Sequence, residues 1–334
     1  MKRKINFLNL GEQPLANYYL KKSQIKDKEK KYKLIVCYDS ITKLVSIKKT
    51  FSSKMMFNDK YPYRSSMSKT MKKSFKILSN KIKKKYKPKK ILEIGSNDGS
   101  FLENFNKDRT IGIEPCANVE KITKKLKFNT IPDYWGINLA KKILNKFDKV
   151  DLIYSANTIS HIKNLDEVFK SINLVLSNEG VLIIEDPSLL ECLKRNTYDQ
   201  FYNEHIYVFS CIGLENILKK YNLKIFRVEN LDIHGGSNRY FIKKKQSDRK
   251  IEKSVKRQKD KEIRYGLDKI NTFIKFSTRV KESKKKLISI FNRYKLHNKK
   301  IIGYGATAKS TTILNYCNID NSTIDYFLDT TKDK

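Results

Sequence analysis

From residue 89 onward, short apolar runs alternate with stretches of helical spacing. ILEIG at 91–95, TIGIEP at 110–115, FNTIP at 128–132, VDLIYSAN at 150–157 and VLIIED at 181–186 read as strands. Between them, 117–126, 137–146 and 165–176 read as helices, the last through Leu165, Val168, Phe169, Ile172, Val175 and Leu176. Strands alternating with helices predict a parallel sheet covered on both faces, an α/β fold with a doubly wound sheet. A helix over 211–221 and strands over 224–230 and 237–243 follow, the two strands forming an antiparallel edge pair. Ahead of this block, 32–37 and 44–47 have strand character, and 69–86 is a basic helix that Pro88 ends. After it, 246–298 is charged, helical in pattern and free of proline. IIGYGATAKS at 301–310 and IDYFLD at 324–329 then repeat the strand–glycine–helix–strand theme. The expected organisation is a small N-terminal domain (1–87), the main α/β domain (88–245), a helical connector (246–298) and a partial C-terminal α/β domain (299–334). The last is read as partial because one strand–helix–strand unit does not easily bury both its faces alone.

Charge is the loudest feature of the composition. Lysine and arginine number 71 against 35 acidic residues, a formal net charge of +36. Such a field attracts polyanions. Yet the lysines are abundant throughout, between strands and in helices with ordinary apolar faces, with no basic patch interleaved with aromatics and no zinc-finger or RNA-sheet motif. They are read as solvated faces, without a nucleic-acid partner, although part of the charge suits a smaller anion such as a nucleotide diphosphate. No apolar run reaches the length of a membrane span, and the N-terminus lacks the apolar core of a secretory signal. The five cysteines (Cys37, Cys116, Cys192, Cys211, Cys317) contain no CxxC pair. A cytoplasmic, reduced protein without disulfides and without a cysteine-built metal site is expected.

The strongest local signal is EIGSNDGSF at 93–101. A buried strand ends in a turn whose Gly95 and Gly99 let a ligand approach the backbone, at the end of the sheet where open parallel folds bind ligands. Asp98 suits an ammonium group, and Glu114, closing the second strand, suits a pair of ribose hydroxyls. The spacing is not GxGxxG, which argues against a pyrophosphate-binding dinucleotide fold. A second constellation, YNEHIYVFS at 202–210, brings Tyr202, Glu204 and His205 within four residues. A histidine with an ordinary pKa of about 6.5 can act as a base at neutral pH. The tyrosine can donate to developing negative charge, and the glutamate can orient the imidazole or anchor a sugar hydroxyl.

The glycine loop and second-strand acid resemble the class I, Rossmann-like methyltransferases. That resemblance implies S-adenosylmethionine as cofactor, bound around Glu93, Gly95, Asn97, Asp98, Gly99 and Glu114, with Asp133 and Tyr134 near the adenine and Asn157 at the methionine end. More closely, LNLGEQPLANYYL (8–20), YPYRSSMS (61–68), EIGSNDGSFLENF (93–105), GIEPCANV (112–119), YNEHIYVFS (202–210), IHGGSNRYF (233–241) and GYGATAKSTTILNY (303–316) occur in this order. Together they resemble the sugar C-methyltransferases that act on nucleotide-diphosphate keto-sugars. The resemblance implies His205 as general base with Tyr202 and Glu204 beside it. It implies a substrate site lined by Tyr61, Tyr63 and Ser65, by the turn His234, Gly235 and Gly236, and by Tyr304 and Lys309. Family members carry a zinc-binding N-terminal domain; here its CxxC pairs are missing, so no metal is expected. Ser310 stands where the family has a glycine, and Asn203 replaces the first histidine of its His–Glu–His run. An O- or N-methyltransferase of the same fold, an RNA methyltransferase, and a non-catalytic relic are the alternatives.

Overall fold

The computed structural model describes residues 3–24, 26–27 and 29–330, so residues 331–334 of the expected C-terminal segment lie outside the described residues. The chain forms two compact units. One comprises 1–52, 187–210 and 262–334, the other 53–186 and 211–261.

The second unit is built, among the described residues, on a seven-stranded sheet. Its order is Leu223–Leu231, Ser237–Lys244, Leu176–Pro187, Val150–Ala156, Ile91–Ile94, Thr110–Ile113, Thr130–Ile131. The last five run parallel, and the first two form the antiparallel edge pair. All four residues of Ile91–Ile94 are buried, as an apolar strand covered on both faces requires. The strand order reverses here: Ile91–Ile94 pairs with the next strand in sequence on one side and with Val150–Ala156 on the other. The loop that leaves it therefore opens at the topological switch point, where the ends of the neighbouring strands diverge.

Helix Lys69–Lys85 presents Met71, Phe75, Leu78 and Ile82 at helical spacing to the core formed by Ile91, Phe101, Tyr154, Ile183 and Phe241. Ser68 caps it by accepting from the Met71 N–H, and Pro88 follows its end. This packing joins residues 53–87 to the methyltransferase-like unit, although the sequence pattern grouped them with the N-terminal segment. The third strand is only Thr130–Ile131, because the Phe128 N–H donates to Thr123 O and so closes the preceding helix.

The first unit holds an antiparallel sheet in the order Lys4–Gln13, Tyr32–Asp39, Val45–Ile47, Tyr207–Val208. Val45 pairs with Val208, which carries segment 187–210 into this unit and out of the continuous 88–245 block expected. The strand Lys4–Gln13 was not anticipated. Register shifts between Asn6 and Leu8 and between Asn9 and Glu12 break its alternation of apolar and polar positions. An aromatic core of Phe7, Tyr38, Phe201, Phe273 and Phe276 fills the unit, with Tyr38 and Phe273 stacked at 4.5 Å. The expected connector is two helices, Lys253–Tyr265 and Ile270–Leu296, separated at Gly266 with φ +87°. A parallel pair, Ile302–Tyr304 and Tyr326–Leu328, brackets helix Ala308–Cys317. Among the described residues no helix is long and apolar enough to cross a membrane.

Candidate active site

In the second unit the chain leaving Ile91–Ile94 turns at Gly95, φ +75°, where a Cβ would sit 2.2 Å from Thr158 Oγ1. Only glycine fits such a backbone at that separation. The Gly95 and Ser96 N–H groups both donate to Ile113 O, which ties the loop to the end of the second strand. Asn97 follows at φ +47°, in the left-handed region that asparagine tolerates. Its N–H donates to Glu114 Oε2 at 2.9 Å, while Glu114 Oε1 accepts from the Cys116 N–H at 2.8 Å. Gly99, at φ +81°, lets the chain pass against the Phe128 ring.

Three carboxylates meet at this loop. Glu93, Asp98 and Glu114 are all buried. Burial raises the pKa of Glu93 well above the ordinary carboxylate range, and the charges of Asp98 and Glu114 raise it further. Burial also raises Glu114, opposed by the Cys116 and Asn97 hydrogen bonds. Glu93 Oε2 and Ser96 Oγ have no hydrogen-bond partner among the described residues. A cluster of buried carboxyl groups whose ionised forms lack full compensation, with unused acceptor capacity, fits a ligand that carries positive charge and hydroxyl donors. S-Adenosylmethionine, with its sulfonium, ammonium and ribose diol, has that chemistry.

Segment 57–66 lies across the carboxyl ends of the parallel strands, held by the loops that leave four of them. The Asn97 side chain accepts from the Ser65 N–H at 2.8 Å and donates to Tyr63 O at 3.1 Å. Asp98 Oδ2 accepts from the Ser66 N–H at 2.9 Å, and its Oδ1 from the Ser100 hydroxyl at 2.6 Å. Asn118 donates to Tyr61 O, and the Tyr134 hydroxyl donates to Phe57 O. The Phe57 ring stacks on His161 at 5.5 Å with the planes 5° apart. The expected cofactor residues Asn97 and Asp98 thus spend side-chain hydrogen bonds on the expected substrate segment, and Tyr134 spends one on Phe57 just ahead of it. Tyr63 itself is 41% exposed. Asp133 is exposed and accepts from the Tyr134 N–H. Asn157, at φ +49° beyond the fourth parallel strand, donates its N–H to Glu185 O. His234, Gly235 and Gly236 adopt consecutive positive φ values of 53°, 82° and 107°, a tight turn between the two antiparallel strands.

In the first unit, Tyr202 and His205 form a pair. The Tyr202 hydroxyl lies 2.7 Å from His205 Nε2, and His205 Nδ1 lies 2.9 Å from Gln200 O. A carbonyl only accepts, so Nδ1 carries a proton; in the neutral ring this leaves the lone pair at Nε2, where the Tyr202 hydroxyl donates. Glu204 is buried and accepts from the Asn17 amide at 2.6 Å, and Asn203 donates to Pro14 O at 2.7 Å. The 8–20 and 202–210 motifs are therefore one structure. Tyr304 is 79% exposed. Lys309 is half-buried; burial lowers its pKa, opposed by nearby Asp199. It lies in the first turn of a helix capped by Thr307, after Gly305 at φ +91°.

Sequence reasoning did not single out Asn118, His161, Phe57, Asn17 or Gln200. Asn118 and Asn17 lie within quoted motifs and could have been found there. Gln200 acts through its carbonyl, which no side-chain pattern reports.

A methyltransferase-domain family matches residues 63–228, and a C-methyltransferase C-terminal domain family matches 232–334. The C-methyltransferase NovU of Streptomyces niveus is 26% identical over 243 residues, 72% of this chain, and the chain spans 58% of that protein's length. Two solved structures are similar at 17% identity. A protein of Pyrococcus horikoshii has a TM-score of 0.42, covering 55% of this chain and 94% of its own. An S-adenosylmethionine-dependent methyltransferase of Clostridium acetobutylicum has a TM-score of 0.40, covering 53% and 93%. The two family matches run from residue 63 to the end of the chain but for residues 229–231, so that a stretch similar to a methyltransferase domain is followed by one similar to a C-methyltransferase C-terminal domain.

Proposed function

We propose that the protein methylates a carbon alpha to the ketone of a nucleotide-diphosphate deoxy-keto-sugar, with His205 as general base. The observation that carries this reading is the Tyr202–His205–Gln200 arrangement. A base that removes a proton from carbon must present a lone pair, and the Gln200 carbonyl holds the imidazole in the tautomer that does so at Nε2. The sugar acceptor is supported by the resemblance of YPYRSSMS, NEH and HGGS to the sugar C-methyltransferases and by the C-methyltransferase family match.

Glu93, Asp98 and Glu114 would hold the cofactor, Glu114 through the ribose and the other two through its positive charges. When bound, S-adenosylmethionine supplies an electrophilic methyl group. The residues of the chain prepare the carbon that accepts it. His205 Nε2 takes the alpha proton, and the electron pair of the broken C–H bond enters the enolate. Nε2 has a single in-plane lone pair, so the Tyr202 hydroxyl turns away from it before the alpha proton is taken, and the turned phenol donates to the enolate oxygen. Because Gln200 already orients the imidazole, Glu204 is left to anchor a sugar hydroxyl, with Asn17 fixing its carboxylate. A positioned base contributes about a hundred- to ten-thousand-fold, and alignment of the two reactants supplies much of the rest.

The test is incubation with methyl-labelled S-adenosylmethionine and a panel of nucleotide-diphosphate 4-keto-deoxysugars in heavy water, with products read by mass spectrometry. Label on carbon, with deuterium exchange at the same carbon that His205→Asn abolishes, is the expected result. Label on oxygen or nitrogen would replace this reading with that of an O- or N-methyltransferase. Near-normal turnover by His205→Asn would remove the base assignment.

A further inference from the structure

Asn97 makes contacts in two directions. Its main-chain N–H donates to Glu114, the proposed ribose acid, and its side chain makes two hydrogen bonds to the backbone of Tyr63 and Ser65. Its backbone is left-handed, at φ +47°. We propose that Asn97 is a positioning residue that couples cofactor binding to the ordering of segment 57–66, so that the acceptor is captured after the cofactor. The inference rests on the cofactor half of the function proposed above, not on the identity of the acceptor.

The physical link is the Glu114 carboxylate. It is buried and accepts from two main-chain N–H groups and from the Cys116 side chain. Two hydroxyl donors added to the same carboxylate favour its ionised form and strengthen its hold on the Asn97 N–H. A fixed Asn97 backbone fixes its side chain, and with it the amide of Ser65 and the carbonyl of Tyr63. The remaining anchors of the segment, Asp98, Asn118 and Tyr134, bind it without touching Glu114 through any hydrogen bond described above. Asn97 is thus the direct connection. Coupling of this kind is reciprocal, so whatever orders 57–66 also tightens the cofactor.

The test is amide hydrogen exchange at 57–66, with S-adenosylhomocysteine as the probe and its affinity measured by calorimetry. In the wild type the probe is expected to slow exchange of the Ser65 amide by about tenfold or more, within the usual range of coupling between sites. Asn97→Gly keeps the left-handed backbone and the N–H to Glu114 but deletes both side-chain bonds. It is expected to cut that slowing to about twofold or less while probe affinity changes by less than about fivefold. Asn97→Asp, which keeps the acceptor for Ser65, should restore part of the slowing. Full slowing in Asn97→Gly overturns the proposal, as does binding to the wild type without slowing. Loss of probe affinity well beyond the roughly fivefold that the lost coupling itself accounts for also overturns it, because Asn97 would then be an ordinary cofactor contact. Absence of probe binding to the wild type would overturn the cofactor reading as well.

Discussion

Asp186 offers a direct measurement of the electrostatic strain beside the candidate site. It stands at the carboxyl end of strand Leu176–Pro187 with no solvent exposure. Its Oδ1 accepts from the Ser160 hydroxyl at 2.5 Å, and its Oδ2 has no hydrogen-bond partner among the described residues. Neighbouring Glu185 is engaged by Arg239 at 2.8 Å. Burial raises the Asp186 pKa from 3.8 to about 8, the Ser160 bond opposing and the Glu185 charge adding. Between these two values the folded protein keeps the proton and the unfolded chain has released it. The unfolded state then binds fewer protons, so stability falls by about 1.4 kcal/mol per pH unit as pH rises. Over the whole interval the loss approaches about 6 kcal/mol, which makes it a large share of the stability of an ordinary domain. Asp186→Asn keeps an acceptor for Ser160 and removes the charge. Its stability relative to the wild type should therefore be constant below about pH 4, rise between pH 4 and 8, and level off above. Urea unfolding followed by fluorescence reads this, because the single tryptophan, Trp135, is buried in the unit that holds Asp186. Stability curves that stay parallel from pH 5 to 8 would refute the reasoning.

His161 acts at the other end of the scale. Burial lowers its pKa to about 3, so stability should drop as pH falls from 6.5 toward 3, and His161→Phe should flatten that acid limb in the same unfolding assay. Gly95→Ala should destabilise the second unit by at least about 2 kcal/mol, from the Thr158 clash and the positive φ together. A second change, Thr158→Ala, should recover only the clash. Glu114→Gln should weaken S-adenosylhomocysteine binding roughly ten- to a hundred-fold by calorimetry, the worth of hydrogen bonds to a charged group; unchanged affinity would remove Glu114 from the ribose role. Tyr202→Phe should lower kcat with cofactor affinity intact while leaving measurable deuterium exchange at the substrate carbon, because Nε2 stays basic. Loss of exchange equal to that in His205→Asn would make Tyr202 part of the base itself.

What could be read from residue order was local. The alternation of ILEI, TIGI and VDLIYSA with amphipathic helices specifies a parallel sheet, because a strand buried on both faces must be apolar throughout and a surface helix must repeat every three to four residues. The glycine turn was equally legible: Gly95 and Gly99 stand where the backbone needs positive φ. The bulged strand Lys4–Gln13 was not legible, since irregular register erases the period on which such reading depends. Nor was the assignment of chain to units. Whether 53–87 belongs with the residues before or after it is decided by which core buries Phe75 and Ile82, and whether 187–210 leaves the main domain is decided by the pairing of Val45 with Val208. The candidate residues of the two units divide in the same way. The residue types that bear chemistry, Glu93, Asp98, Glu114, Tyr202 and His205, stood out in the sequence because their side chains are the signal. Their partners did not. The imidazole tautomer is set by the carbonyl of Gln200, and the hydrogen bonds of Asn97 and Asp98 go to the backbone of a segment some thirty residues earlier. Main-chain groups are the same in every residue, so only the tertiary structure could decide which of them a functional side chain would meet.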